Sequence, residues 1–210
     1  MTEVVISDIM KVGCDNVLLE YQRYGRNKTT LVNKAYIDSG EYRKKFDKLT
    51  DNTAVNKSLY ECAKKALKHR NGTMIEDMYW IDSDTGAIVA SVTEQTEKTL
   101  ERVEYSQNVK NIIKNKKNLI AIHTHPNSMS PSAADFNSCL KNGYKAGIIA
   151  CHDGKLFKYL SNQEISETLY ILYIEEFIDS GKDEYEAQLS ALLKIKENHK
   201  IDFWEVTANA

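Results

Sequence analysis

The segment HTHPNSMSPSAAD, residues 123–135, contains two of the five histidines of the chain together with an aspartate and several serines. The apolar residues 118–122 that precede it predict a short buried strand. Residues two apart on a strand point to the same face of the sheet. His123 and His125 are therefore predicted to lie side by side at the end of a buried strand.

The residues that follow predict the start of a helix beside the strand end. Pro126 would stop the strand, and Ser130 followed by Pro131 predicts an N-cap with proline at the first helical position. Asp135 then falls about one turn into the helix. Two imidazoles and one carboxylate that converge in this way can bind a metal ion tetrahedrally and leave the fourth position to water, which is the pattern of a catalytic zinc site.

Each of these residues on its own has an ordinary structural explanation. A single histidine is usually a core or surface residue, and a serine followed three residues later by an aspartate is usually a helix cap. Here both features occur within thirteen residues, directly after a predicted buried strand. This clustering favours a metal site.

The pattern H-x-H-P followed by S-x-x-D resembles the JAMM (MPN+) motif of the JAB/MPN zinc metalloprotease superfamily. Among the members of that superfamily, the chain resembles the prokaryotic or phage-type proteins. That superfamily includes deubiquitinating isopeptidases, relatives that cut ubiquitin-like modifiers, phage tail peptidases and RadC-like proteins. The resemblance implies that His123, His125 and Asp135 bind one Zn²⁺ per chain, and that Ser132 helps to stabilise the tetrahedral intermediate. Six residues separate His125 from Ser132, where the family more often has seven, a difference that a loop can absorb.

The resemblance also implies a fold and covers about half of the chain. The expected fold is of the α/β (α+β) class, a JAMM/cytidine-deaminase-like mixed β-sheet flanked by helices. We expect an N-terminal extension over residues 1–50, the JAMM core over 51–160 and a helical segment over 161–210. Within the flanking segments, the pattern predicts a strand at 29–37 and a short charged helix at 41–49. A capping box beginning at Ser161 is expected to open the C-terminal helices.

The family requires a glutamate on an earlier strand as the general base, and Glu76 is our choice. It opens a predicted strand at residues 74–82, between an amphipathic helix and a return strand. Asp77 is the alternative, but neighbours on a strand face opposite ways, so only one of the two can face the metal. Glutamate has the longer reach that a base beside a metal-bound water needs. Glu94 and Glu97 lie beyond the return strand and fit less well.

Composition limits the function classes. The net charge of −2 argues against a nucleic-acid or anionic-membrane partner, and no signal peptide or membrane-length apolar run occurs. The four cysteines are scattered without a C-x-x-C pair, which predicts free thiols in a reducing cytoplasm. Cys151 and His152 are adjacent on a predicted strand and diverge, so they form a poor nucleophilic dyad. His152 could still contact a metal or a substrate.

These observations predict a zinc-dependent hydrolase of amide bonds, an isopeptidase or peptidase of the deubiquitinase-like type. Glu76 would take a proton from a zinc-bound water, and Ser132 would donate a hydrogen bond to the developing oxyanion. The substrate would be a protein or peptide, with a conjugate of a ubiquitin-like modifier as the best-known class. A metal-stabilised interaction module without catalysis and a RadC-like, DNA-associated protein are the alternatives. The apolar C-terminal helices also suggest the hypothesis of a homodimer.

Overall fold

The computed structural model describes residues 29–96 and 105–208. Over these ranges the chain forms seven helices and six strands. The helices are α1 (Lys34–Ile37), α2 (Gly40–Lys44), α3 (Thr53–Arg70), α4 (Gln107–Asn115), α5 (Ala133–Asn142), α6 (Glu167–Asp179) and α7 (Glu184–Asn198). The strands are β1 (Met78–Asp82), β2 (Ile88–Val92), β3 (Leu119–His125), β4 (Ala146–Cys151), β5 (Leu156–Ser161) and β6 (Ile201–Glu205). Most of the predicted N-terminal extension, and Glu97, lie outside the described residues.

The six strands form one sheet in the order β2-β1-β3-β4-β5-β6. Only β3 and β4 run parallel, and the other four neighbouring pairs are antiparallel. Helix α5 connects the two parallel strands, as a parallel pair requires a crossover. Buried clusters lie on both faces of the sheet, each including residues from helices. The expected mixed sheet flanked by helices is therefore confirmed.

Strand β3 positions the two histidines. All of its seven residues are buried. Leu119 and Ala121 belong to the core cluster on the α5 face, whereas Ile120 and Ile122 belong to the cluster on the α3 face. This alternation follows from the two-residue period of a strand. The histidines at 123 and 125 continue the first row, so they lie on the face that α5 covers.

Helix α3 covers the opposite face. It begins at Thr53 because the side chain of Asn52 accepts a hydrogen bond from the Ala54 N–H at 2.9 Å. The helix therefore starts three residues before residue 56, where the apolar pattern predicts its start. Leu59, Ala63 and other residues at helical spacing are fully buried against the sheet. The last residue of the helix, Arg70, is also buried.

Helix α5 begins two residues later than predicted. The N-cap is Ser132 and not Ser130, and Pro131 lies before the helix rather than at its first position. Ser132 and Asp135 form a reciprocal capping box, in which each side chain accepts a hydrogen bond from the backbone N–H of the other. Two hydrogen bonds of this kind outweigh the preference of proline for the first helical turn.

Three predictions for the flanking segments are wrong. Residues 29–37 contain helix α1 instead of a strand, because the Asn33 side chain caps a helical turn at the Tyr36 N–H. Ser161 ends β5 instead of opening a helix, and α6 begins at Glu167 with Ser166 as its cap. The segment after residue 160 also contributes a sixth strand, β6, which pairs with β5. Within the described ranges, none of the helices combines the length and apolar character needed to cross a membrane.

Candidate metal centre

The imidazoles of His123 and His125 meet at the end of β3. Their Nε2 atoms lie 3.1 Å apart, and both residues are more than nine-tenths buried. The Nδ1 of His125 lies 3.0 Å from the carbonyl oxygen of Met129. Because a carbonyl oxygen can only accept, this nitrogen carries a proton, and in the neutral ring Nε2 is then the nitrogen with the free lone pair. A backbone carbonyl that fixes the tautomer in this way is the usual support of a metal-binding histidine.

The capping box of α5 directs Asp135 at the two imidazoles. Its Oδ2 accepts hydrogen bonds from the N–H of Ser132 at 2.7 Å and from the Ser132 hydroxyl at 2.8 Å. In that orientation Oδ1 lies 3.1 Å from the Nε2 of His123, and Oδ2 lies 3.6 Å from the Nε2 of His125. The helix start and the position of the third ligand thus depend on the same hydrogen bonds.

The spacing of the three side chains can be compared with that of ligands around a tetrahedral zinc ion. Bonds of about 2.0–2.1 Å at tetrahedral angles place neighbouring ligand atoms about 3.3 Å apart. The two Nε2 atoms lie 3.1 Å apart and Oδ1 of Asp135 lies 3.1 Å from His123, both close to that value, whereas the 3.6 Å contact with His125 is made by the other carboxylate oxygen, Oδ2. Burial alone raises the pKa of Asp135, but the two imidazoles and the bond from Ser132 reverse this and hold that pKa well below its usual value. The carboxyl group is therefore ionised, as a metal ligand must be.

Glu76 completes the cluster. It lies two residues before β1, which begins four residues later than predicted. Met78 pairs with His123 in the antiparallel β1–β3 register, so Glu76 approaches His125 on the same face. One carboxylate oxygen of Glu76 and one nitrogen of each histidine lie within 4.8 Å of one another. Burial, with a smaller contribution from Asp135, raises the pKa of Glu76 to about 7.

Asp77 faces the other way and is engaged elsewhere. Its fully buried carboxylate accepts one hydrogen bond from Arg70 Nε, at 2.5 Å, through Oδ1. The other oxygen, Oδ2, lies 2.8 Å from Nδ1 of His69. The Arg70 guanidinium also donates to the carbonyl oxygens of Thr93 and Gln95. Of the two adjacent carboxylates, the structure brings Glu76 to the histidines and leaves Asp77 in a structural ion pair. Glu94, the other described alternative, is exposed on the surface.

Glu76 lines two pockets. The large pocket, of about 250 Å³, includes His123 and Asp135 in its lining. The small pocket, of about 90 Å³, includes His125 and Ser132. The five predicted metal and catalytic positions thus all line one or other of these two pockets, and Glu76 lines both.

The small pocket contains residues that the sequence did not indicate. Its lining includes Tyr170 of α6 and Gln188 of α7, which are joined by a hydrogen bond of 3.4 Å. It also includes Ser130, whose buried hydroxyl has no hydrogen-bond partner within the described part of the chain. No local motif marks Tyr170 or Gln188, because only the packing of the C-terminal helices brings them here. Ser130 was noted in the sequence only as the predicted N-cap of α5, a position that Ser132 occupies in the structure.

The loop between β3 and α5 is held in a strained conformation. Ser128 is fully buried and has a φ of +61°, a left-handed conformation that is uncommon for residues other than glycine. Its hydroxyl accepts a hydrogen bond from the N–H of Asp153 at 2.9 Å, which ties the loop to the β4–β5 hairpin. This left-handed residue lies within the six-residue spacing between His125 and Ser132.

Cys151 and His152 do not form a catalytic pair. The Cys151 thiol is fully buried, which raises its pKa well above the usual value, and it lies 3.6 Å from the Met129 carbonyl oxygen. The imidazole of His152 is engaged elsewhere, because its Nδ1 lies 2.6 Å from the carbonyl oxygen of Thr30. A thiol with a raised pKa and no adjacent base is a poor nucleophile.

No protein-family model, curated protein or solved structure matches this chain. The resemblance to the JAMM motif therefore rests on the residues of the motif themselves.

Proposed function

We propose that the protein is a zinc-dependent hydrolase of amide bonds. The observation that carries this proposal is the meeting of His123, His125 and Asp135 at ligand distances, with the carboxylate of Glu76 in the same cluster. The three ligands would hold the ion and leave a position open, as in catalytic zinc sites. When bound, zinc would supply Lewis-acid polarisation of the scissile carbonyl group and would acidify a water molecule.

The protein's own groups would move the protons. Glu76 would accept a proton from the attacking water and deliver it to the nitrogen of the leaving amine, the general acid–base role for which a pKa near neutrality is suited. Ser132 would donate to the developing oxyanion. In the present geometry the Ser132 hydroxyl donates to Asp135, so it would have to turn towards the substrate during the reaction.

A protein or peptide would be the substrate. Isopeptide-linked conjugates of ubiquitin-like modifiers are the first class to test, because the H-x-H-P and S-x-x-D pattern of this chain resembles the JAMM motif of isopeptidases. A cytoplasmic location is part of the proposal, and it is supported by the three described cysteines, Cys62, Cys139 and Cys151, which are free and buried.

The first experiment is elemental analysis of bound metal in the wild type and in His123→Ala. We expect about one zinc per chain in the wild type and a loss in the variant. His199→Ala, a histidine at the end of α7, is the matched control and should retain the metal. Absence of zinc from the wild type after reconstitution would refute the proposed metal centre.

A second experiment separates catalysis from a structural metal. Glu76→Gln should keep its zinc and lose hydrolysis of peptide and isopeptide substrates. If Glu76→Gln kept full function, the protein would be a metal-stabilised interaction module instead. Salt-dependent binding of DNA would favour the RadC-like alternative.

A further inference from the structure

The large pocket shares three side chains with the candidate metal centre. Glu76, His123 and Asp135 are among its lining residues. A group bound in this pocket would consequently lie next to the reacting amide bond.

The rest of the pocket is largely apolar and aromatic. The apolar and aromatic lining residues are Met78, Val92, Ala134, Tyr105, Tyr144 and Tyr159, and the remaining two, Gln95 and Ser138, are polar and uncharged. No lysine or arginine is among its lining residues. Mostly apolar and aromatic walls with a small number of polar groups are typical of a site for an uncharged, largely hydrophobic group.

The walls are held in place by contacts of their own. The Tyr105 hydroxyl lies 3.4 Å from the sulfur of Met78, and the indole N–H of Trp80 donates to the Tyr144 hydroxyl at 2.8 Å. The ring of Tyr159 lies directly over Gly147, where an added Cβ would come to 2.0 Å from the ring. These contacts keep the cavity open in the absence of a ligand, which reduces the cost of binding.

The volume indicates the size of the group. A buried apolar cavity of about 150 Å³ is enough to bind benzene. The large pocket, at about 250 Å³, exceeds this size, whereas the small pocket, at about 90 Å³, does not reach it. Of the two pockets beside Glu76, only the large one can accept an aromatic ring.

We propose that the large pocket is a specificity subsite for an aromatic or large aliphatic side chain of the substrate residue that adjoins the scissile amide bond. The inference rests on the proposed function, because the metal centre gives the pocket its place beside the reaction. Transfer of such a side chain from water to an apolar pocket corresponds to a gain of about 10- to 100-fold in affinity.

The test uses small hydroxamates as metal-binding probes of the zinc-loaded protein. The probes carry the side chain of glycine, leucine, phenylalanine or lysine, on the carbonyl side of the hydroxamate in one series and on the nitrogen side in a second. Dissociation constants are measured by calorimetry. In one of the two series, we expect the phenylalanine and leucine probes to bind about 10- to 100-fold more tightly than the glycine probe, and the lysine probe to show no such gain.

The possible outcomes separate this inference from the proposed function. Equal affinities across both series, or a preference for lysine, would overturn the subsite and leave the metal centre intact. Failure of every probe to bind would count against the metal centre itself, and with it the subsite.

A variant at the rim of the pocket provides a further test. Ala134 is an exposed residue in the first turn of α5, so a larger side chain there can extend over the pocket without entering the core. In Ala134→Phe, the ratio of the glycine-probe to the phenylalanine-probe dissociation constant should fall towards one. Ala134→Ser adds little volume and should keep the ratio. An unchanged ratio in Ala134→Phe would also contradict the proposal.

Discussion

Glu76 and Asp77 are adjacent carboxylates, and the structure predicts opposite consequences when each is replaced by its amide. Asp77 is completely buried between His69 and Arg70, and the Arg70 side chain is only 6% exposed. In Asp77→Asn the guanidinium would stay buried without its counter-charge. Removal of one partner from a buried ion pair costs about 3–5 kcal/mol. An asparagine oxygen can still accept one bond from Arg70, so the lower part of this range is expected.

The cost translates into a measurable change in melting temperature. At about 2.1 cal/mol/K per residue, the unfolding entropy of the 210-residue chain is about 0.44 kcal/mol/K, so a loss of about 3–5 kcal/mol lowers Tm by about 7–11 °C. Glu76→Gln removes a carboxylate whose ionised form is already disfavoured by burial. Its effect on the free energy of unfolding should stay within about 0.5 kcal/mol, or about 1 °C.

Scanning calorimetry of both variants, with metal removed by a chelator, measures these differences without a contribution from bound zinc. Hydrolysis is then assayed well below each Tm with zinc restored. Glu76→Gln should be stable and inactive, and Asp77→Asn should be destabilised and active. The reasoning would be refuted if Asp77→Asn melted like the wild type, or if it were folded, zinc-loaded and inactive while Glu76→Gln stayed active.

Four further predictions concern the metal, the helix cap, the sheet and the pH dependence. Zinc at about 100 times its Kd should raise the free energy of unfolding by about 2.7 kcal/mol, or about 6 °C in Tm, and His125→Ala should abolish this increase. Ser132→Ala should cost about 0.5–2 kcal/mol in urea unfolding through loss of the N-cap, whereas Ser130→Ala, which removes a hydroxyl without a described partner, should cost little. Gly147→Ala should destabilise the protein by about 1–3 kcal/mol, because its Cβ would overlap the tyrosine ring opposite, and near-UV circular dichroism should report the displaced ring. Hydrogen bonds from Lys116 and Thr85 hold the pKa of Asp82 well below its ordinary value of 3.8. Asp82 therefore contributes stability that is present above pH 3.8 and is lost as the pH falls through the folded-state pKa. In Asp82→Asn, the free energy of unfolding should depend less on pH in this acidic range.

The site was predictable to the extent that its residues are close in sequence. The two histidines share a face because a strand has a period of two, and Asp135 lies near them because a helix start follows the strand within a few residues. The same alternation separates Glu76 from Asp77. The start of α5 was misplaced because two serines compete for the cap, and only the reciprocal bond to Asp135 decides between them.

Features that depend on distant residues were not predictable. The β6 strand is only five residues long and is recognised by its pairing with β5, which no local pattern encodes. The Arg70 side chain joins Asp77 to the backbone beyond β2, and nothing in the helical pattern around it indicates a buried charge. Tyr170 and Gln188 reach the small pocket only through the packing of α6 and α7.

The location of the candidate metal ligands along the chain has a consequence for the order of folding. His123, His125 and Asp135 come from β3 and the first turn of α5, so one strand and one helical turn are enough to bring them together. Glu76 joins them only when β1 pairs with β3, and contacts between distant segments form later than local ones. A nascent chain could thus capture its ion before it acquires its base. If the protein is the proposed zinc hydrolase, such an intermediate would gain stability from the metal without being able to cut neighbouring chains, and hydrolysis would begin only after β1 had paired with β3.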